Sequence, residues 1–244
     1  MQEQEKDKPA LVFLHYFGGS ALSWQWVTEK LIPSYHCIVP DLPGFGGATP
    51  LGAPSVQEMA RWVREHIKKQ GIEKYTLIGH SMGGKIAVQM AAYDEQGTIQ
   101  NLILVAPSPP STEPIPPEEK ERMLRHPDRQ EAETTVKKST IRPLTEEQYN
   151  LAVGTQLIAD PATWQWWITQ GTTHSIQDQT ARIHMPVTIL ASEDDPAITF
   201  DTIRQSVLPA LPAAKLITTK QVGHLSPLEA PEWIAGQIRA LSEP

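Results

Sequence analysis

Tyr75-Thr76-Leu77-Ile78-Gly79-His80-Ser81-Met82-Gly83-Gly84-Lys85-Ile86-Ala87-Val88-Gln89-Met90-Ala91-Ala92 is the stretch whose reading decides the fold. Tyr75–Ile78 is a short apolar run of the kind that makes a buried strand, and the residues from Lys85 onward are helix formers. Between them lies Gly-x-Ser-x-Gly. In a strand-turn-helix context this pattern makes an elbow so tight that its flanks admit almost no side chain, and a serine hydroxyl is left standing over the end of the sheet. Ser81 is therefore a candidate nucleophile in need of a base.

Working outward, five more apolar runs accompany Tyr75–His80: Ala10–His15, Cys37–Asp41, Asn101–Ala106, Val187–Ser192 and Ala214–Thr219. Most lack strict alternation, as strands covered on both faces should. Amphipathic segments at Ala21–Ile32, Val56–Lys69, Met82–Tyr93, Thr199–Leu208 and Pro227–Leu241 separate them. Strands alternating with helices predict an α/β protein with a doubly wound, parallel sheet. The rhythm breaks once, between Pro107 and Met185. That interval opens with six prolines (Pro107, Pro109, Pro110, Pro114, Pro116 and Pro117), which no helix can run through. Helical pieces at Glu118–Arg125, Thr145–Ala159 and Pro161–Thr173 follow. The expected organisation is a core of residues 1–106 and 186–244, with residues 107–185 inserted as a helical cap or lid.

Composition excludes several classes. The chain has 244 residues, 40% apolar and 20% charged, with a net charge of −7. That size and balance suit one soluble globular domain, and the acidic balance without a basic stripe argues against a nucleic-acid partner. No apolar run reaches membrane-spanning length. The charged Met1–Lys8 has no apolar segment behind it and does not read as a secretory signal. A single cysteine, Cys37, rules out an internal disulfide and fits a reducing, cytoplasmic setting. No cluster has zinc-ligand spacing and no dinucleotide fingerprint is present, so neither a metal nor an organic cofactor is expected.

A serine nucleophile requires a base, an acid to orient it, and donors for an oxyanion. Of eight histidines, His224 sits in Gln221-Val222-Gly223-His224 just after the last strand, on the face where open α/β sheets place their chemistry. His15 also ends a strand and is the runner-up, although the Gly18-Gly19 beside it suits a loop of backbone donors. His80 adjoins Ser81 but points away from it and is read as packing. The acid is sought in Glu193-Asp194-Asp195, after the fifth strand, with Asp195 preferred and Asp194 second. Asp41, before a glycine-rich turn, is read as a structural tether of that turn.

These pieces resemble the α/β-hydrolase superfamily, in its serine-nucleophile, esterase-like branch, over essentially the whole chain. The resemblance rests on His15-Tyr16-Phe17-Gly18-Gly19, Asp41-Leu42-Pro43-Gly44-Phe45-Gly46, Gly79-His80-Ser81-Met82-Gly83-Gly84, Glu193-Asp194-Asp195 and Gly223-His224, in the family's order. It implies a Ser81, Asp195, His224 triad, the acid standing three residues beyond Ser192, and an oxyanion hole from the backbone N–H groups of Met82 and Phe17. Two departures stand out. The family's usual His-Gly is His15-Tyr16 here, and the few residues before Pro9 leave out a hairpin that many relatives carry. The expected sheet is therefore mainly six-stranded and parallel, with the Cys37 strand exposed at its edge as a place for homo-oligomer contacts. An apolar substrate pocket is expected from Tyr16, Phe17, Met82, Trp164 and Trp167. The implied activity is hydrolysis of a carboxylic ester with a small or medium apolar acyl or aryl group. The alternatives are lactone or carbon–carbon bond hydrolysis by the same triad, or a non-catalytic small-molecule receptor.

Overall fold

The computed structural model describes residues 8–242, so the reading of the charged N-terminus lies, Lys8 apart, outside the described residues. Six parallel strands form one sheet in the order β2-β1-β3-β4-β5-β6: β1 (Ala10–Leu14), β2 (His36–Ile38), β3 (Tyr75–His80), β4 (Ile99–Val105), β5 (Val187–Ser192) and β6 (Lys215–Thr219). The chain starts inside the sheet, steps outward to β2, then returns past β1 and builds in the other direction. That reversal between β1 and β3 opens a crevice at their carboxyl ends, where open α/β sheets bind ligands. It brings the His15–Gly19 loop beside Ser81. The edge strand β2 carries Cys37 as expected but is only three residues long.

Both faces of the sheet's central strands are buried, and their residues divide with period two. Val12, Leu14, Leu77, Leu102, Leu104, Ile189 and Ala191 join one apolar cluster, whereas Leu11, Phe13, Ile78, Ile103, Val105 and Leu190 join the other. On the first face lies helix α1 (Val56–Lys69), whose Val56, Met59, Ala60, Val63 and Ile67 recur at helical spacing. Ser55 caps it by accepting from the Glu58 N–H, and His66, Lys68 and Lys69 end it favourably for its dipole. Beside it runs α2 (Met82–Ala92), buried along its entire length because it is wedged between α1, the sheet and the 3-10 turn Gln177–Arg182.

Between β4 and β5 only helical elements occur: α3 (Pro117–Met123), α4 (Arg129–Ser139), α5 (Glu146–Leu157) and α6 (Pro161–Trp166), the last continuing into a π turn, Trp167–Gly171. Helix α4 departs from the sequence reading, which has no helix there. It buries only Ala132 and Val136, too thin a stripe to stand out. On the opposite face α7 (Pro231–Ser242) seats Ile234, Ala235 and Ile238 on the second cluster. The expected Ala21–Ile32 helix is shorter, a 3-10 turn at Ala21–Trp24 followed by Gln25–Thr28. Thr199–Leu208 is broken by a π turn at Ile203–Val207. Among the described residues no helix is long and apolar enough to cross a membrane.

The helical segment between β4 and β5 is stitched to α2 by Lys85. Its side chain is fully buried, and Nζ donates to the carbonyls of His174 at 2.8 Å, Gly171 at 3.3 Å and Thr172 at 3.4 Å. Burial pushes its pKa down to about 8. Lys85→Met keeps the stem and leaves three carbonyls without that donor. Urea unfolding is expected to show a loss of about 1–3 kcal/mol, and an unchanged midpoint would contradict the tether.

Candidate active site

Ser81 sits at the elbow with φ 53° and ψ −117°, a conformation rare outside glycine and costly unless its surroundings impose it. They do so through the backbone. The Ser81 N–H donates to the Val105 carbonyl at 3.1 Å. The Ser81 carbonyl accepts from Gly84, Ser108 and Lys85, at 2.8, 3.0 and 3.2 Å. Any Cβ on Gly83 would overlap the Leu14 and His15 carbonyl oxygens, and one on Gly79 would overlap the Gly83 carbonyl. The motif's two glycines thus let α2 close directly on β3 and on the end of β1.

From the elbow the Ser81 hydroxyl donates to His224 Nε2 at 2.9 Å, and His224 Nδ1–H donates to Asp195 Oδ2, also at 2.9 Å. All three side chains are buried. Asp195 cannot turn away, because its Oδ1 accepts from the N–H groups of Ala197 at 2.8 Å and Ile198 at 3.0 Å. A carboxylate on Nδ1 selects the tautomer whose Nε2 is free to accept. Burial, the largest influence on His224, pushes the imidazole down. The charge and hydrogen bond of Asp195, with the charges of Glu113 and Glu229, outweigh it and hold His224 above its ordinary value. The neighbouring acids divide the remaining work. Asp194 Oδ2 accepts from the Gln221 N–H at 2.7 Å, pinning the His224 loop, and Glu193 pairs with Lys220 at 3.1 Å.

His15 and His80 are not brought to the hydroxyl. His15 donates from Nδ1 to the Tyr16 carbonyl at 2.8 Å and accepts the Leu42 N–H at Nε2, 3.1 Å away, while burial lowers its pKa to about 4. It clasps the β1 and β2 loops. His80 is packing, as read, and does more: its Nε2–H donates to the His224 carbonyl at 2.8 Å, and burial pushes its pKa well below the ordinary histidine value. Asp41 is structural: its carboxylate packs against Gly46 of its own turn, and its Oδ1 accepts from the Ala21 N–H at 2.6 Å, tying the two loops together.

A cavity of about 400 Å³ opens over Ser81 and His224, with Tyr16, Phe17, Ile115, Met123 and Trp167 among its walls. Trp164 is a correction. It lies behind Phe17, its ring 4.2 Å from the Phe17 ring and stacked on His126, with the indole N–H donating to the Met123 carbonyl at 2.8 Å. Met82 is fully buried in the first apolar cluster and is not among the cavity's walls. Its position as first residue of α2 leaves its N–H without a helical partner.

Glu229 carries no signal in the sequence yet organises the histidine loop. Its Oε2 accepts from the N–H groups of Gly223, Arg142 and Ile141, at 2.8, 2.8 and 2.9 Å. The His224 N–H in turn donates to the Ser139 carbonyl at 2.7 Å. The loop bearing the imidazole is therefore bound to the helical segment between β4 and β5 as well as to the sheet.

The model of the alpha/beta hydrolase family matches residues 11–237. Among curated proteins, a pimeloyl-[acyl-carrier protein] methyl ester esterase of Vibrio vulnificus is 40% identical over 101 residues, 41% of this chain and 38% of that protein. A 2-succinyl-6-hydroxy-2,4-cyclohexadiene-1-carboxylate synthase of Serratia proteamaculans is 29% identical over 109 residues, 45% of this chain and 42% of that one. The matched stretches thus span about two fifths of these relatives. Among solved structures, an esterase from Exiguobacterium antarcticum superposes with a TM-score of 0.86 at 16% identity, over 97% of this chain and 92% of that one, a likeness of fold.

Two measurements test this geometry. In a proton NMR titration the His224 imidazole is expected to titrate above about 6.5. Asp195→Asn is expected to move its midpoint lower, since burial then acts with less opposition; a midpoint that does not fall would contradict the pairing. Glu229→Ala strips three N–H groups of their acceptor, and its urea unfolding is expected to show a loss of about 3 kcal/mol.

Proposed function

This chain belongs to the alpha/beta hydrolase family, and we propose that it is a serine carboxylesterase acting on a small-molecule ester with an apolar acyl or aryl group. The carrying observation is the continuous hydrogen-bond chain from Ser81 through His224 to Asp195, each link 2.9 Å. Ser81 Oγ attacks the ester carbonyl while His224 Nε2 takes its proton, and Asp195 steadies the imidazolium. The negative charge on the carbonyl oxygen is met by the N–H groups of Met82, at the positive end of α2, and of Phe17. His224 then returns the proton to the leaving alcohol as the carbon–oxygen bond breaks. Water, activated by the same imidazole, releases the acid from Ser81.

Residues 107–185 form the lid in this reading. Its support is the cavity wall, much of which comes from residues 113–123, 135–139, 156 and 167. The similarity to an esterase of methyl esters supports the bond type. The 29% identity to a cyclohexadiene-carboxylate synthase supports a second reading, in which the same hydroxyl and imidazole serve a bond other than an ester.

Ser81→Ala is expected to lower kcat on p-nitrophenyl butyrate by at least about ten-thousandfold. A fluorophosphonate is expected to add its mass to Ser81 in the unaltered protein. A variant retaining a tenth of the activity would sink the assignment.

A further inference from the structure

Three glutamates, Glu113, Glu118 and Glu119, line the cavity over Ser81, the reaction described above uses none of them, and Glu113 is the one tied to the elbow. Glu113 lines the cavity together with Ser81 and His224, although it comes from the proline-rich connector after β4. It is held in place rather than hanging free. Its Oε2 accepts from the hydroxyl of Ser108, a fully buried residue whose own N–H donates to the Ser81 carbonyl at 3.0 Å. Its backbone N–H donates to the buried Thr172 carbonyl at 2.8 Å, and Thr112 Oγ1 beside it donates to the Thr173 carbonyl at 3.2 Å. Two connections therefore hold this residue, its carboxylate through Ser108 to the elbow and its backbone to Thr172 just past the π turn.

No salt bridge among the described residues neutralises its charge. Among the described residues the single cation lining the cavity is Lys138, and its Nζ stands 2.8 Å from Glu119, which also pairs with Arg122. Lys85 feels the charge of Glu113 from a distance, but its Nζ hydrogen bonds go to the three carbonyls described above. Among the described residues Glu113 makes no ion pair, and no group donates to its Oε1. The field of this carboxylate reaches His224, where it favours the protonated ring. A fixed charge in a partly desolvated site discriminates between ligands chiefly by refusing like charge.

We propose that Glu113 is a specificity-determining residue, whose fixed negative charge beside Ser81 and His224 makes the site prefer esters bearing a cationic group within a few bonds of the scissile carbonyl and refuse anionic ones. The inference rests on the esterase reading above for its chemistry but not for its charge preference. The test uses isosteric substrates. On the acyl side these are the p-nitrophenyl esters of 4-(trimethylammonio)butanoate, 5,5-dimethylhexanoate and glutarate. On the alcohol side they are butyrylcholine and 3,3-dimethylbutyl butyrate. In the unaltered protein kcat/KM is expected to favour the cation over its neutral isostere by about tenfold in at least one series, with the glutarate ester slowest in the first.

Glu113→Gln keeps an oxygen for the Ser108 hydroxyl and removes the charge. It is expected to erase the cation preference and to raise glutarate turnover about tenfold relative to the neutral ester. Glu113→Ala should move both ratios the same way. Ratios that change less than threefold in both series would overturn the proposal. A binding arm separates the two readings. In Ser81→Ala, calorimetry is expected to find butyrylcholine bound about tenfold more tightly than 3,3-dimethylbutyl butyrate, a preference lost on adding Glu113→Gln. If no ester in the panel is hydrolysed, the esterase reading fails and this arm alone decides: a preference that Glu113→Gln removes supports the charge assignment, and equal binding overturns it.

Discussion

The contact of Gly83 with the Leu14 and His15 carbonyls is the constraint from which the rest follows. A methyl group there would overlap two backbone oxygens, and the first turn of α2 would have to lift from the sheet. With α2 seated, the backbone at Ser81 is forced into its unusual conformation, and its strain is offset by four main-chain hydrogen bonds to neighbouring elements. The other non-glycine residues with positive φ among those described, Ala106 and Gln221, also stand just beyond strand ends, after β4 and β6. Strained non-glycine backbone is thus concentrated at one end of the sheet, where rigid strands can hold it.

A second dependence runs through the loop of His224. Its imidazole is useful to Ser81 only while the loop stays still, and the chain spends several charged and polar groups to that end. Asp194 pins Gln221, Glu229 pins Gly223, His80 holds the His224 carbonyl and Ser139 its N–H. Two of these contacts also reach into the helical segment between β4 and β5, since Glu229 accepts from Ile141 and Arg142 and the Ser139 carbonyl belongs to α4. The loop and the helices between β4 and β5 are consequently one packed unit, joined further by Tyr16, Val136, Val153, Leu225 and Leu228 in a third apolar cluster.

Much of this was legible in the sequence because it is written in local pattern. Strand β3, the elbow and α1 have strong periodicity or punctuation, and their extents agree with expectation. The order of the loops at the sheet's end follows from topology, which is why Ser81, Asp195 and His224 could be named together. What escaped is long-range. Glu229 reaches Ile141 across 88 residues, and its three backbone donors have no side-chain identity to betray them. Glu113 sits in a connector whose only local signal is proline. Helix α4 hides because few of its residues are apolar. Trp164 was placed on the cavity because tryptophan suits a wall, whereas its stacking on His126 and Phe17 makes it the backing behind one.

The three imidazoles near the elbow have a consequence for how the site counts hydrogen ions. His15 and His80 are sealed against charging, the first at about pH 4 and the second well below the ordinary range. The ring of His80 nevertheless lies 5.1 Å from that of His224. Down to about pH 4, an acidifying solution therefore charges only His224 among these three rings. Of the three imidazoles, the one bonded to Ser81 is thus the first to gain charge, and the Asp195 carboxylate holds that gain in place.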